Sequence, residues 1–384
     1  MLKKIKITNF LSCQDTEIEF DNITALIGRN AAGKTNILKA IEFCVQFAIG
    51  ELSNNFGYTE NNFFSEISIE LLIENKNYQY KRLTNSKEES GVVFIEQLLC
   101  KNNNEWNLIA ERKNNKVIYY NSVINEFNIN AYAPMISSIS ALLPQEVIAP
   151  DIKVILNYLS EVKYYILDDD KNNENKLKTG YYLIPDSSYK KWINGNEEQL
   201  SVLMRLLHIW KTEKELFKEL LSLLGESGLN LIENINITRS YIPQLQSDSE
   251  GFYMIRFRTK NIDVNYSQLS HGTQRVLAIL LALLYDKNST LLIEQPEDGI
   301  HSGLLKKLLP LCFEYAEVYN KQLIFTTHSS EAINLFQPEN IRIVKMTENG
   351  TKVSALDKER MPFIREYLQN EGALFDFIES MDDE

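Results

Sequence analysis

The pattern of hydrophobic and polar residues predicts a strand-rich N-terminal part. Residues 2–10 and 17–20 alternate between the two classes, which predicts two strands. Residues 22–27 form a short apolar run that predicts a buried strand, and residues 36–47 carry apolar side chains at helical spacing. Short alternating segments between residues 67 and 120 are separated by Asn- and Lys-rich turns, so we expect an antiparallel meander there.

From about residue 134 the pattern becomes helical. Residues 152–162 predict one helix, and residues 197–224 form the strongest amphipathic stretch, with an apolar residue every three or four positions. We interpret this stretch as a pair of core-facing helices, with an interaction helix as the alternative. Residues 234–239 and 252–259 return to strand character, and the chain beyond them alternates helix and strand as in a parallel sheet.

Composition sets limits on this picture. The 384 residues exceed what one compact core usually holds, so two lobes or a domain with an insertion are expected. The net charge of −12 argues against a surface coated in positive charge for sequence-independent DNA binding, and it leaves a local basic groove possible.

The four cysteines lack metal-ligand spacing, and the longest apolar run, residues 276–285, is too short to span a bilayer. We therefore expect a cytoplasmic protein without membrane contact.

The candidate chemistry begins at residues 28–35, whose sequence GRNAAGKT matches the phosphate-loop pattern G-x-x-x-x-G-K-[ST]. The predicted strand before it and helix after it direct the helix N-terminus, with its free N–H groups, at a triphosphate. Lys34 supplies a mobile positive charge, and the Thr35 hydroxyl is expected to hold Mg²⁺. The predicted nucleotide-binding residues are Gly28, Arg29, Asn30, Ala31, Ala32, Gly33, Lys34, Thr35 and Asn36.

A second group of candidate residues lies in the C-terminal third. An apolar strand ends at Glu294, whose carboxylate is expected beside Thr35, within reach of Mg²⁺. Upstream, Ser270 and Gly272 open a helix and form a second anion site at its N-terminus. Downstream, another apolar strand ends at His328, which is placed to hydrogen-bond a γ-phosphate or an attacking water.

In this order the motifs resemble those of the ABC ATPases, and within them the chain is similar to the RecF/SMC-like ATPases related to the OLD family. Further matches are the segments IKITNF, GRNAAGKTNILKAIEF, PEDGIH and IFTTHSSEAI. The likeness covers roughly residues 1–50 and 264–336. It implies an α/β fold, namely an ABC-type P-loop ATPase head with a β-meander and a mainly helical inserted lobe. The implied division is a head in two parts, residues 1–133 and 231–384, with the lobe at residues 134–230.

The resemblance also implies roles and partners. ATP would bind at the phosphate loop, Thr35 and Glu294 would hold Mg²⁺, and His328 would be the switch histidine. Ser270 and Gly272 match the signature, which in such ATPases closes over the ATP held by a second subunit. The resemblance therefore implies a homodimer, or a higher homo-oligomer, with ATP at a head-to-tail interface.

Two departures from the family pattern concern Ala31 and Gln295. Related loops often carry glycine where Ala31 stands. Where Gln295 stands, the family usually has a glutamate that acts as the general base. The Gln295 amide cannot take a proton, so the chemical step would slow by about 10²–10⁴-fold. Three explanations stay open: a natively slow ATPase, replacement of the base by Glu297 or His328, or an introduced Glu→Gln change that traps the ATP-bound dimer.

The expected function is an ATP-dependent dimerising switch in DNA repair or anti-phage defence. The 56 residues after His328 are too few for a nuclease domain, so a separately encoded nuclease or other effector is the expected partner. The alternative is an ATP-locked scaffold or sensor that hydrolyses little ATP. A GTPase is disfavoured because residues 320–322 lack the aspartate of a guanine-binding motif, and a kinase because the helix opened by Ser270 and Gly272 has no role in one. DNA contact stays open, with Arg256, Arg258 and Lys260 expected on one strand face.

Overall fold

The computed structural model describes residues 1–51, 64–88, 91–121, 123–130, 133–165, 183–195, 202–241, 251–285, 289–370 and 372–381. Within these residues the protein has the mixed α/β structure that the hydrophobic pattern predicts. The chain divides into two compact units, which are described separately. Unit 1 comprises Met1–Tyr164, Asn288–Gln295 and Val318–Glu384, and unit 2 comprises Tyr165–Lys287 and Pro296–Glu317.

The first sheet of unit 1 is an antiparallel meander. Its strands are β1 (Leu2–Phe10), β2 (Cys13–Glu19), β4 (Phe64–Ile73), β5 (Lys76–Glu88), β6 (Gly91–Asn102), β7 (Glu105–Lys113), β8 (Lys116–Tyr120) and β9 (Ile124–Asn128). They are hydrogen-bonded in the order β2-β1-β4-β5-β6-β7-β8-β9. The meander expected between residues 67 and 120 is confirmed, and the two N-terminal strands extend the same sheet.

The second sheet of unit 1 contains the parallel strands. In spatial order they are β10 (Val162–Tyr165), β15 (Thr290–Glu294), β16 (Gln322–Thr327), β3 (Ile23–Ile27), β17 (Ile341–Thr347) and β18 (Gly350–Ala355). β15, β16, β3 and β17 run parallel, and β18 is antiparallel to β17. The carboxyl ends of the parallel strands therefore meet at one edge of the sheet, which is where the candidate residues lie.

Helix α1 (Lys34–Ile49) follows β3 and is anchored in the core of unit 1. The apolar residues that predicted it are all buried, namely Ile37, Leu38, Ile41, Cys44 and Val45. α2 (Met135–Leu142) and α3 (Pro150–Ser160) pack against α1, and α3 is the helix expected near residues 152–162. The short helices α9 (Ser330–Ile333), α10 (Met361–Asn370) and α11 (Leu374–Ser380) complete the described helices of unit 1.

Unit 2 combines helices with a small antiparallel sheet. Its strands are β11 (Leu183–Pro185), β12 (Asn234–Tyr241), β13 (Gly251–Thr259) and β14 (Ile262–Val264), and its helices are α4 (Asp186–Ile193), α5 (Val202–Thr212), α6 (Lys214–Leu224), α7 (His271–Leu284) and α8 (Ser302–Val318). The long amphipathic stretch is a pair of helices, α5 and α6, that contact each other, as we interpreted it. Its first residues, 197–201, lie outside the described residues.

The predicted domain boundaries at residues 133 and 230 stay a prediction. By compactness, residues 134–164 group with the phosphate loop in unit 1, and residues 231–287 group with the helices of unit 2. Across the described ranges, no helix is both long enough and apolar enough for a membrane crossing.

Candidate functional site

The loop of residues 28–33 leads from the end of β3 directly into α1, so the phosphate-loop sequence has the local structure that it requires. Two of its glycines are dictated by close backbone packing. Gly28 has a φ of +152°, and a Cβ atom there would lie 2.2 Å from the carbonyl oxygen of Val344 on β17. Gly33 has a φ of +104°, and its Cβ would lie 2.0 Å from Oγ1 of Thr351 on β18. Only glycine fits at either position.

The backbone at the tip of the loop shows why related loops often carry glycine where Ala31 stands. Ala31 has a φ of +63°, the left-handed region that favours glycine, and holding a non-glycine residue there costs about 1–2 kcal/mol. Arg29 and Asn30 are exposed beside it, and the Ala32 N–H donates to the Arg29 carbonyl at 3.2 Å. The loop is thus a closed turn with its exposed side toward solvent.

Lys34 is folded back over this turn. Its Nζ donates to the carbonyl oxygens of Gly28 at 2.6 Å and Arg29 at 3.0 Å, and the residue is only 6% exposed. The ammonium group is therefore already positioned above the loop by two backbone acceptors. An anion bound at the loop would meet this charge together with the N-terminus of α1.

Thr35 and Glu294 come together as expected from the strand ends. The Thr35 hydroxyl donates a short hydrogen bond to Oε1 of Glu294. A third residue joins them, because the Tyr164 hydroxyl on β10 donates a short hydrogen bond to Oε2 of the same carboxylate. Sequence reasoning missed Tyr164. In the sequence, Tyr164 is only a tyrosine near the end of a short strand. Its link to Glu294 follows from the position of β10 beside β15, which the sequence pattern does not give.

Gln295 and His328 also form a pair. Gln295 has a φ of +42°, so the chain leaves the extended conformation immediately after β15. Its N–H donates to the Thr326 carbonyl at 3.0 Å. Its Nε2 lies 3.2 Å from Nδ1 of His328, which is exposed. Glu297, the other candidate for a general base, is buried and belongs to unit 2.

Asn36 lies behind the loop in a hydrogen-bond network. Its Nδ2 donates to Oγ of Ser12 at 2.7 Å, and that hydroxyl is 2.7 Å from Oγ1 of Thr351. The Thr351 hydroxyl in turn donates to the Ala32 carbonyl at 3.1 Å. This network holds the loop from its inner side, and it was missed because Ser12 and Thr351 are more than 300 positions apart in the chain.

The signature residues are fixed within unit 2. Ser270 caps α7, since its Oγ accepts from the Thr273 N–H at 3.2 Å. A Cβ on Gly272 would lie 2.4 Å from the Gly299 carbonyl oxygen, so the helix start packs directly on the segment that follows β15. Glycine is required here for close approach.

The candidate DNA-contact strand differs from its prediction at one residue. Arg256 and Arg258 lie on β13, opposite Asn236 and Asn234 of β12. The expectation that Lys260 shares their strand face is wrong, because β13 ends at Thr259 and Lys260 lies in a turn with a φ of +48°.

The donor set at the end of β15 suits magnesium. Thr35 brings a hydroxyl and Glu294 a carboxylate to one point, and these hard oxygen donors are the ligands that Mg²⁺ prefers when it binds together with a phosphate.

The match to a known protein family agrees with this geometry. Residues 23–334 match the family described as "AAA domain, putative AbiEii toxin, Type IV TA system". The chain belongs to this family. The matched region begins at the first residue of β3 and contains the phosphate loop, the signature, Glu294 and His328.

Two curated relatives extend the comparison. The chain is 22% identical over 388 residues to the OLD nuclease of Thermus scotoductus, and 25% identical over 353 residues to Endonuclease GajA of Bacillus cereus. The alignments cover 94% and 89% of this chain, and 67% and 57% of the relatives. The chain thus spans about two thirds of one relative and just over half of the other. The resemblance to ABC-type ATPases related to the OLD family is confirmed.

Similar solved structures include heads of SMC proteins. The SMC head domain from Thermotoga maritima is 14% identical, with a TM-score of 0.42, over 93% of this chain and 99% of that one. The Smc head with an extended coiled coil, bound to the C-terminal domain of ScpA from Pyrococcus furiosus, is 15% identical, with a TM-score of 0.47, over 96% of this chain and 99% of that one.

Proposed function

We propose that the protein binds ATP with Mg²⁺ and acts as a slow ATPase whose nucleotide-bound form dimerises and controls an effector. The observation that carries the proposal is the meeting of Thr35 and Glu294 at the end of the phosphate loop. A threonine hydroxyl paired with a strand-end carboxylate is the arrangement that supports Mg²⁺ in phosphoryl transfer. Membership of the ATPase family supports the same reading.

The proposed roles follow from the contacts at the loop. The N-terminus of α1 and Lys34 would bind the phosphates, while Thr35 and Glu294 would hold Mg²⁺, Glu294 by accepting from metal-bound water. When bound, the cation supplies charge neutralisation at the phosphates. The two glycines, Gly28 and Gly33, allow the loop backbone to pack closely against β17 and β18.

Slow hydrolysis is proposed because of Gln295. Its amide can orient a water molecule, but it has no site that accepts a proton at neutral pH. The amide Nε2 of Gln295 can donate only where Nδ1 of His328 accepts, and the tautomer that fits this contact has its ring N–H at Nε2. That N–H can donate to a phosphate oxygen, so His328 would sense the nucleotide rather than deprotonate water.

The dimer is proposed from the signature. Ser270 and Gly272 sit at the start of α7, and Ser270 already uses its hydroxyl as the helix cap. The N-terminus of this helix has the backbone N–H groups and the dipole that suit an anion. We propose that these groups close over ATP held by a second copy of the chain, so that each composite site draws on two subunits. An effector with nuclease activity is supported by the names of the two relatives, OLD nuclease and Endonuclease GajA.

The test compares the native sequence with Gln295→Glu and Lys34→Ala. ATP turnover and oligomeric state are measured side by side with Mg²⁺ present. We expect low turnover and an ATP-dependent dimer for the native chain, about 10²-fold faster turnover and a shorter-lived dimer for Gln295→Glu, and neither for Lys34→Ala. A native chain that does not bind ATP would refute the proposal.

The second candidate function is an ATP-locked scaffold, and it is favoured by the same Gln295. In that case Gln295→Glu leaves turnover unchanged while ATP still drives dimerisation. The comparison therefore separates a slow switch from a scaffold, since both bind ATP and only the switch gains hydrolysis from a restored base.

A further inference from the structure

Glu294 accepts hydrogen bonds at both carboxylate oxygens from hydroxyl groups of two residues that are distant from it in the sequence. Thr35, at the start of α1, donates to Oε1, and Tyr164, on β10, donates to Oε2. All three residues belong to unit 1, and β10 is the neighbour of β15 in the parallel sheet. In the sheet order, β10 flanks β15 on the side opposite β16 and β3, the strand that leads into the phosphate loop.

We propose that Tyr164 is a positioning residue for Glu294, and that it sets how tightly the site takes up Mg²⁺. The inference rests on the proposed function, because it concerns the same acid. Each carboxylate oxygen has two lone pairs, so a carboxylate that accepts one bond at each oxygen keeps acceptor sites for metal-bound water. The Thr35 hydroxyl can likewise face a cation with its lone pairs while it donates to Oε1.

Burial makes the Tyr164 bond directional. Tyr164 is 7% exposed, so packing restricts its ring and the direction in which its hydroxyl donates. A buried side chain of this kind orients an acid more narrowly than a mobile surface donor does. Partners that orient a metal-binding group in this way typically affect metal affinity by about 10–100-fold.

The chain contains other hydrogen bonds from a tyrosine to a carboxylate, and these serve as examples of a structural role. Tyr78 donates to Asp151 at 2.6 Å, and Tyr315 donates to Glu219 at 2.7 Å. Tyr164 differs from them because its acceptor also bonds the phosphate-loop threonine. Its loss should therefore change the response to Mg²⁺, which a structural tyrosine would leave alone.

The experiment compares Tyr164→Phe with Tyr158→Phe as the matched control. The Tyr158 hydroxyl bonds Oγ1 of Thr290 at 2.8 Å, at the first residue of the strand that ends in Glu294, and Tyr158 is 6% exposed. Each variant thus loses one hydrogen bond from the phenol of a buried tyrosine to a side chain of β15. The readout is binding of a fluorescent ATP analogue during a Mg²⁺ titration, together with the melting temperature.

We expect Tyr164→Phe to need about tenfold more Mg²⁺ for half-maximal tightening of nucleotide binding, with metal-free binding within twofold of native. Tyr158→Phe should match the native Mg²⁺ requirement even where it lowers the melting temperature. In a Glu294→Gln background, Tyr164→Phe should add no further shift. A native-like Mg²⁺ requirement for Tyr164→Phe would overturn the inference alone. Absence of nucleotide binding by the native chain would overturn the proposed function, and the inference with it.

Discussion

At the scale of single residues, the glycines of the phosphate loop carry the most specific structural demand. Gly28 approaches a backbone carbonyl of β17, which cannot rotate away as a side chain could. The conflict at Gly33 is with the hydroxyl and methyl groups of Thr351, which is itself buried. Residue identity here is therefore decided by packing between the loop and the sheet, in addition to any contact with nucleotide.

The first prediction concerns Gly28→Ala. The new methyl group would meet the Val344 carbonyl oxygen at 2.2 Å, so the loop or β17 must shift. We expect a loss of stability of about 2–4 kcal/mol, seen as a lower urea midpoint, and at least tenfold weaker ATP binding. Gly195→Ala is the control, because Gly195 has a φ of +73° with nothing within 4 Å of an added Cβ. It should cost about 1 kcal/mol and leave ATP binding unchanged.

Equal losses in the two glycine variants would contradict this reading. The cost at Gly28 would then arise from the backbone conformation alone, and the close approach to β17 would carry no energetic weight.

At the scale of elements, helix α1 contains a carboxyl group, that of Glu42, whose burial disfavours its charged form. Burial raises the pKa of Glu42 to about 7, although nearby Lys39 opposes the shift. The folded protein therefore holds a proton at Glu42 that the unfolded chain releases nearer its ordinary pKa of about 4.3. Stability from this group is present below the unfolded pKa and is lost as pH rises through about 7.

The second prediction follows from that sign. Glu42→Gln should match the native melting temperature near pH 5 and exceed it near pH 8, because the amide needs no proton to stay neutral. The measurement is thermal unfolding across pH 5–8, taken as the difference between variant and native. Replacing the exposed Glu366 of α10 by Gln is the control. A difference that does not grow with pH would show that Glu42 is solvated in the folded protein.

The third prediction tests the network behind the loop. Thr351→Val removes the hydroxyl that contacts the Ala32 carbonyl and the Ser12 hydroxyl, and Thr351 is fully buried. We expect a loss of about 1–3 kcal/mol in urea unfolding and weaker ATP binding, since the Ala32 carbonyl and the partly buried Ser12 hydroxyl each lose a hydrogen-bond partner.

The control for this network is Thr347→Val, at the turn end of the same hairpin, where Thr347 of β17 pairs with Gly350 of β18. Its hydroxyl donates to the Gly350 carbonyl at 2.8 Å, and the residue is exposed. We expect less than about 1 kcal/mol and unchanged ATP binding. A similar effect on ATP binding from both variants would mean that hairpin stability, rather than support of the loop, controls the site.

The sequence predicted the parts of the site that are recognisable within one short segment of the chain. The phosphate loop is a local strand–loop–helix unit, so its pattern and its context are read together within about thirty residues. Glu294 and His328 were predicted because each ends an apolar strand, and strand ends of a parallel sheet converge. Tyr164 and Thr351 were missed, because their value depends on which strands are neighbours, and hydrophobic pattern does not specify strand order.

At the scale of the whole molecule, the phosphate loop and the signature belong to different compact units of one chain. The proposed head-to-tail dimer makes a sharp prediction for mixed subunits. In a Gln295→Glu background, Lys34→Ala inactivates one half of each site and Ser270→Arg inactivates the other half. Each variant alone should be inactive, because every site in its homodimer lacks one half.

Mixing the two variants should restore turnover. Half of the dimers in an equal mixture are mixed dimers, and each pairs one intact loop with one intact signature, so about a quarter of all sites are complete. We expect up to about a quarter of the Gln295→Glu turnover, rising and falling with the mixing ratio and greatest near equal amounts. A chain that completes its site from its own signature would give no recovery at any ratio. That result would remove the dimer from the mechanism while leaving ATP binding at the phosphate loop intact.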